Sequence, residues 1–223
     1  MTDSSESKKP RNSKRLFIGF PIQADSSLEA AIKRTRISAE RKGMEFYWTP
    51  PTNYHVTLCF LGATEVERLP ELEEMLRETA ASHSPFHTKL RGMGGFPNER
   101  HVRALFVGVR KSRSLATLQA TLSEALSARG FPIEDRDYHP HLTVGRLRKA
   151  RNVVDLISPY VRTAFSNRDV SEIVLFESVM HGGHPMYVPL SRYALTGAPH
   201  EFEEEEELQG AHDGQPVVVT EGE

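Results

Sequence analysis

Cysteine is almost absent. Cys59 is the only one in the chain, so no disulfide can form within it. It sits in an apolar run, the setting of a buried structural thiol rather than of a nucleophile. No stretch approaches the roughly 20 apolar residues of a membrane-spanning helix. The basic residues near the N-terminus are not followed by the apolar core of a secretory signal, so a cytoplasmic protein is the expectation. Gly92, Gly94 and Gly95 lack the Lys-Ser/Thr ending of a phosphate loop and read as a turn, and nothing suggests ATP use. A dense Lys/Arg stripe is missing too, and the sequence pI is about 6.6, which argues against a dedicated duplex-DNA binder.

The ends are poor in apolar residues, which explains a hydrophobic content of only 38% over 223 residues. Composition predicts a disordered basic tail over 1–14, one folded domain over 15–197, and a disordered acidic tail over 198–223 that contains the run Glu203–Glu207. The formal charge is −2. Lys and Arg are absent beyond Gly197, so the body is net positive, as suits a phosphate-bearing partner.

Within that body a pattern occurs twice. Leu16–Phe20 reads LFIGF, a strand candidate. Residues 26–41 carry Leu28, Ile32 and Ile37 at helical intervals. A Pro-rich turn then leads into the β-rich segment Tyr54–Gly62. In the second copy Leu105–Val109 reads LFVGV. Residues 112–129 place Leu115, Leu118, Leu122, Ala125 and Leu126 on one helical face, ending at Gly130. Tyr138–Arg146 follows. Between the copies a helix is expected over 65–82 and a strand over Phe86–Met93. After them come a helix over 150–164 and a strand pair, Ser171–Met180 and Pro185–Leu195, joined at His181-Gly-Gly-His184. This order predicts an α+β fold of two pseudo-symmetric lobes, with antiparallel sheets around a central cleft and helices outside.

Each copy contains His-x-Thr: His55-Val56-Thr57 and His141-Leu142-Thr143. In a strand, residues i and i+2 share a face, so each motif presents an imidazole beside a hydroxyl with an apolar residue behind. Two such strands facing each other box in a phosphate. One neutral imidazole can take a proton from water while a protonated one supplies the leaving oxygen. The hydroxyls can donate to non-bridging oxygens. Arg146, three residues after Thr143, leans to the opposite face unless a bulge at Gly145 returns it. One His-x-Thr alone is ordinary strand sequence; two in matching contexts point to a site.

The chain resembles the 2H phosphoesterases, most closely the bacterial RNA 2′,3′-cyclic phosphodiesterases, the LigT-like or "2′-5′ RNA ligase" family. The resemblance runs from Arg15 to Leu195. It rests on the segment Arg15–Pro21, on Trp48 ahead of Asn53–Gly62, on Phe96-Pro97 ahead of Arg103–Gly108, and on His139–Arg146. It implies hydrolysis of RNA 2′,3′-cyclic phosphate ends to 2′-phosphates. The sequence offers no convincing metal-ligand set, so no metal or other cofactor is expected, and a monomer is the expectation. His55 and His141 would be catalytic, with His55 the acid toward the 3′ oxygen and His141 the base toward water. Thr57, Thr143 and Arg146 would hold the phosphate. Trp48 and Arg103 are possible RNA contacts. Ligation to 2′-5′ bonds in the same site, and RNA or nucleotide binding without turnover, are the alternatives. The intact histidine pair argues against the second, since binding alone needs no acid and base.

Other residues read more blandly. Tyr54 and Phe60 could stack a base, but core packing is the simpler reading, and Arg15 and Arg100 fit a solvated surface. His139, His181 and His184 suggest a metal site only weakly, because their spacing matches no defined motif.

Overall fold

The computed structural model describes residues 12–134 and 136–198. Two repeats of strand and helix build most of it. β1 (Ser13–Pro21) is followed by α1 (Ser26–Arg41), β2 (Phe46–Trp48) and β3 (His55–Glu65). α2 (Leu69–Ser82) and β4 (Phe86–Phe96) lead to the second repeat, β5 (Val102–Val109), α3 (Arg113–Ala128) and β6 (His141–Arg151). A one-turn helix α4 (Val154–Ile157), β7 (Ala164–Val170), β8 (Glu172–His181) and β9 (His184–Ala194) complete it.

The helices begin where the sequence supplies caps. Asp25 Oδ1 accepts from Leu28 N at 2.9 Å, and Ser112 Oγ accepts from Leu115 N at 3.2 Å, each satisfying one of the free N–H groups of a first turn. Gly43 and Gly130, both at positive φ, follow the C-termini of α1 and α3.

The strands form one antiparallel sheet in the order β7-β4-β5-β6-β3-β1-β8-β9, with β2 added on β6. The order is palindromic about β6/β3: β5 answers β1, β4 answers β8, and β7 answers β9. The expected lobes are therefore halves of a single sheet over a single core, not separate sheets. At the centre β3 and β6 meet through one registered pair, Val56↔Leu142, and β2 of the first repeat adds three more pairs on β6. The helices cross between halves. α1 packs against α4 and β7 of the second half, whereas α3 packs against α2 and β3. Leu16, Ile18, Val56, Leu58, Leu61, Leu105, Val107, Leu142 and Val144 face this helical layer, all buried. The opposite face of the sheet is left for the site.

The glycine common to LFIGF and LFVGV has the same function in both copies. A Cβ on Gly19 would lie 2.4 Å from Val56 O, and one on Gly108 would lie 2.6 Å from Arg91 O. Both positions need the close backbone approach that only glycine allows.

Several expectations change. β1 takes in Ser13 and Lys14, which composition had assigned to the tail, and Lys14 Nζ pairs with Glu177 at 2.5 Å. The remaining tail positions, 1–11 and 199–223, lie outside the described residues. The helix expected over 150–164 shrinks to α4 and a 3-10 turn at Ser158–Tyr160, while β6 runs on to Arg151. β2 was not foreseen, being too short to show a period. β7 was missed because one of its inward residues is Arg168, 8% exposed. Its guanidinium donates to Ser166 O and Asn167 O and lies 3.1 Å from Asp25 Oδ1, tying the β7 edge to the start of α1.

Candidate active site

His55 and His141 are the first residues of β3 and β6. Val56↔Leu142 is the central pair, so continuing the register by one residue sets His55 across from Thr143 and Thr57 across from His141. Four side chains thus occupy a square on the face away from the core, with the imidazoles on one diagonal. Diagonal neighbours have Cα atoms about 7–8 Å apart, within reach of side chains this long.

Both rings are fixed in the same way. His55 Nδ1 is 2.8 Å from Asn53 O, and His141 Nδ1 is 2.7 Å from His139 O. A carbonyl only accepts, so Nδ1 carries hydrogen in each ring and Nε2 is the atom that gives or takes a proton. The Pro51–Asn53 turn before β3 supplies one carbonyl, and the Asp137–Pro140 segment before β6 supplies the other.

Aromatic walls surround the imidazoles. The His55 ring lies 4.6 Å from Tyr187, 4.9 Å from Phe17 and 5.6 Å from Phe176. The His141 ring lies 4.8 Å from Phe96 and 5.6 Å from Phe106. Phe17 and Phe106 are the equivalent second residues of the two apolar runs, so the duplication extends to these walls. Desolvation by these rings pushes the His55 imidazole down to about 4, partly opposed by the Asn53 carbonyl and reinforced by the charges of His141 and Arg146. His141 is lowered for the same main reason, with the His139 carbonyl opposing and Arg146 and His139 reinforcing.

Arg146 reaches the site through a bulge. Phe106 pairs with Thr143 but Leu105 pairs with Gly145, so one residue is extra and the alternation flips. Leu142, Val144 and Leu147 face the core while His141, Thr143 and Arg146 face out. The first seven residues of β3 have the same burial pattern, β3 has its own register shifts, and its residue equivalent to Arg146 is Phe60, 46% exposed. The two halves are therefore unlike at this point: one offers a cation, the other an aromatic face.

Of the two possible RNA contacts, Trp48 pairs with Gly145 and packs on the core side against Phe46, so it is removed from the site face. Its neighbour Tyr47 takes that place. Tyr47 pairs with Arg146 and stacks on His184, ring centroids 3.8 Å apart, joining β2 to the tip of the β8–β9 hairpin. Arg103 is exposed at the register shift between Val102 and Ala104, one residue from the row containing Arg146. Tyr54 is core, as expected. Beside His141 is a cavity of about 290 Å³ that includes Phe96, Pro97, Phe106, Lys111 and His139 in its lining. No cluster of three or more His, Cys, Asp or Glu among the described residues could hold a metal ion. Cys59 is buried, its thiol pushed up to about 11 by burial, as a structural thiol should be. Among the described residues no helix is long and apolar enough to cross a membrane.

Two imidazoles able to exchange a proton at Nε2, two hydroxyls and one guanidinium on one sheet face suit displacement at phosphorus. The comparisons with known proteins agree. Residues 24–178 match the family model described as the 2'-5' RNA ligase superfamily. The chain is 33% identical to the RNA 2',3'-cyclic phosphodiesterase of Archaeoglobus fulgidus over 178 residues, 79% of this chain and 97% of that protein. It is 30% identical to the protein of the same name from Methanothermobacter thermautotrophicus over 177 residues, 78% of this chain and 96% of that protein. Among solved structures, a Thermus thermophilus protein superposes with a TM-score of 0.66 at 26% identity, covering 82% of this chain and 98% of that one. Apo LigT of E. coli gives 0.61 at 25%, covering 83% and 99%.

Proposed function

The chain belongs to the 2'-5' RNA ligase superfamily, and from that premise we propose that it is an RNA 2′,3′-cyclic phosphodiesterase, hydrolysing cyclic phosphate ends to 2′-phosphates with His55 and His141 as its acid–base pair. The observation that carries this reading is the matched pair of imidazoles. Each has Nδ1 on the carbonyl two residues upstream and Nε2 left for chemistry.

The cyclic phosphate occupies the square. Thr57 and Thr143 donate to its non-bridging oxygens, and Arg146 balances the charge that builds on them. A water attacks phosphorus in line with the P–O3′ bond. Its proton passes to the neutral imidazole, the P–O3′ electron pair leaves with O3′, and the protonated imidazole delivers its proton there. The product has a 2′-phosphate and a 3′-hydroxyl, and the two histidines have exchanged protonation states. By the family resemblance His55 protonates O3′ and His141 activates water. Burial makes a charged His55 costly in the empty site, so the bound phosphate anion must favour that proton. An RNA end suits the exposed Phe60 face and the cavity beside His141 as places for bases.

The test is incubation of the full chain with an oligoribonucleotide ending in a 2′,3′-cyclic phosphate, with the product's phosphate position mapped. A 2′-phosphate supports the reading. A 3′-phosphate would mean that the other ester bond breaks, and an unchanged end would mean binding without turnover.

A further inference from the structure

The two halves differ along the strand axis of the site. Arg146 lies three residues beyond Thr143, and Phe60 lies three residues beyond Thr57. β3 and β6 are antiparallel, so these two side chains flank the square at opposite ends. The His55–Thr143 row is the one nearer Arg146, and the Thr57–His141 row is the one nearer Phe60. Arg146 pairs with Tyr47. Tyr47 in turn stacks on His184, with ring centroids 3.8 Å apart and planes 8° from parallel. His184 belongs to the β8–β9 hairpin, which joins the sheet along β1, so this contact requires the hairpin to curl over the site face. The hairpin borders the site on the way. Tyr187 stands 4.6 Å from the His55 ring, and three residues earlier His184 meets Tyr47.

The tip of this hairpin is loosely built. Gly182 and Gly183 have φ of 57° and 81°, and a Cβ on either would meet nothing within 4 Å. Met180 beside them is 69% exposed. The tip can therefore move away from Tyr47, and two flat rings that can part are suited to take a base between them. The stereochemistry of the substrate decides which base. In a ribose 2′,3′-cyclic phosphate, C1′ with its base adjoins C2′, and C4′ with the 5′ chain adjoins C3′. Turning O3′ toward His55, the acid, turns C4′ toward Arg146 and the terminal base toward Phe60. The RNA chain then leaves past Arg146. The aromatic pair it meets there is Tyr47–His184, about 10 Å from the Thr143 row at about 3.3 Å per strand residue.

We propose that Tyr47 and His184 part to sandwich the base of the nucleotide that precedes the cyclic-phosphate end, so that the preferred substrate is a single-stranded RNA end rather than a cyclic mononucleotide. The inference rests on the RNA-end reading above, including His55 as the acid toward O3′. Stacking uses the face common to all bases, so the subsite tolerates any sequence. A base paired in a blunt duplex must first leave its stack, which costs binding, so such ends are poor substrates.

The experiment uses the full chain and steady-state kinetics on a nucleoside 2′,3′-cyclic phosphate, on a dinucleotide with the same end, and on that dinucleotide with its first base removed. The expected kcat/KM for the intact dinucleotide is about fivefold or more above that for either of the others, with the difference in KM. His184→Ala should remove this advantage and leave turnover of the mononucleotide unchanged. His184→Phe should keep it, because a second aromatic ring restores the sandwich. Equal values for the dinucleotide and its abasic form, or an advantage that survives in His184→Ala, would overturn the proposal. A loss in His184→Ala that is the same for mononucleotide and dinucleotide would make the stack a brace for the site and would also overturn it. Failure of the unmodified chain to turn over any of the three substrates would instead remove the functional reading on which the proposal stands.

Discussion

Titrating the free protein tests the electrostatics of the site. The aromatic walls around His55 move its imidazole from the usual 6.5 to about 4. At about 1.4 kcal/mol per unit, charging this ring in the empty site costs roughly 3 kcal/mol more than in water. The unfolded chain binds this proton near 6.5 and the folded chain near 4, so the folded state holds fewer protons between those values. Stability contributed by neutral His55 is therefore full above about 6.5 and is lost as pH falls through 4. Bound phosphate reverses part of this, because its negative charge favours the imidazolium. The assay is the pH dependence of the ring Hε1 resonance by NMR, assigned with His55→Gln, in the free protein and with a nucleoside 2′-phosphate bound. The expected midpoint is near 4 in the free protein and higher in the complex. A free-protein midpoint at or above 6.5 would refute the desolvation argument, and a midpoint unmoved by the product would refute contact with its phosphate.

His55→Ala and His141→Ala should each lower kcat about 10²–10⁴-fold with thermal unfolding little changed, and the double variant should be little worse than either, since the pair acts as a unit; near-normal turnover in one single variant would remove that histidine from the mechanism. Arg146→Ala should cost about 10²-fold in kcat/KM for cyclic phosphate, with partial return in Arg146→Lys, and a loss confined to longer RNA would move Arg146 from the phosphate to the chain. Gly19→Ala should lower the melting temperature, because its Cβ would lie 2.4 Å from Val56 O, and a melting temperature equal to that of the unmodified chain would contradict the close approach of β1 and β3. Turnover should survive exhaustive chelation, whereas a loss restored by zinc or manganese would require a metal.

The duplication was legible because it repeats a short string, Leu-Phe-(Ile/Val)-Gly, at a similar distance from His-x-Thr in each half. From it followed the helices α1 and α3, the strands β1, β3, β5 and β6, and the meeting of His55, Thr57, His141 and Thr143 on one face. The side taken by Arg146 stayed open in the sequence, because an unbroken strand turns it away and only a bulge at Gly145 returns it; the register shift in β6 supplies that bulge. Other features leave no local signal. β7 hides behind an inward Arg168 whose partner, Asp25, is far away in sequence. Trp48 and Tyr47 differ by one position, and a three-residue strand has too little alternation to show which of them faces the site. The walls around the histidines come from Phe96, Phe176 and Tyr187, apolar residues that could equally have been core; only Phe17 and Phe106, through the repeated string, were findable. The merging of two lobes into one sheet depends on pairings between residues far apart in the chain, Val56↔Leu142 at 86 positions and the β2–β6 pairs at about a hundred.

A structure of the full chain with a nucleoside 2′-phosphate bound tests most directly the claim that two equivalent histidines grip one phosphate. The account predicts the phosphate between β3 and β6, with Nε2 of His55 and Nε2 of His141 each about 3 Å from one of its oxygens, Thr57 and Thr143 donating to others, and Arg146 alongside. A phosphate that contacts only one imidazole, or that settles away from both strands, would contradict it.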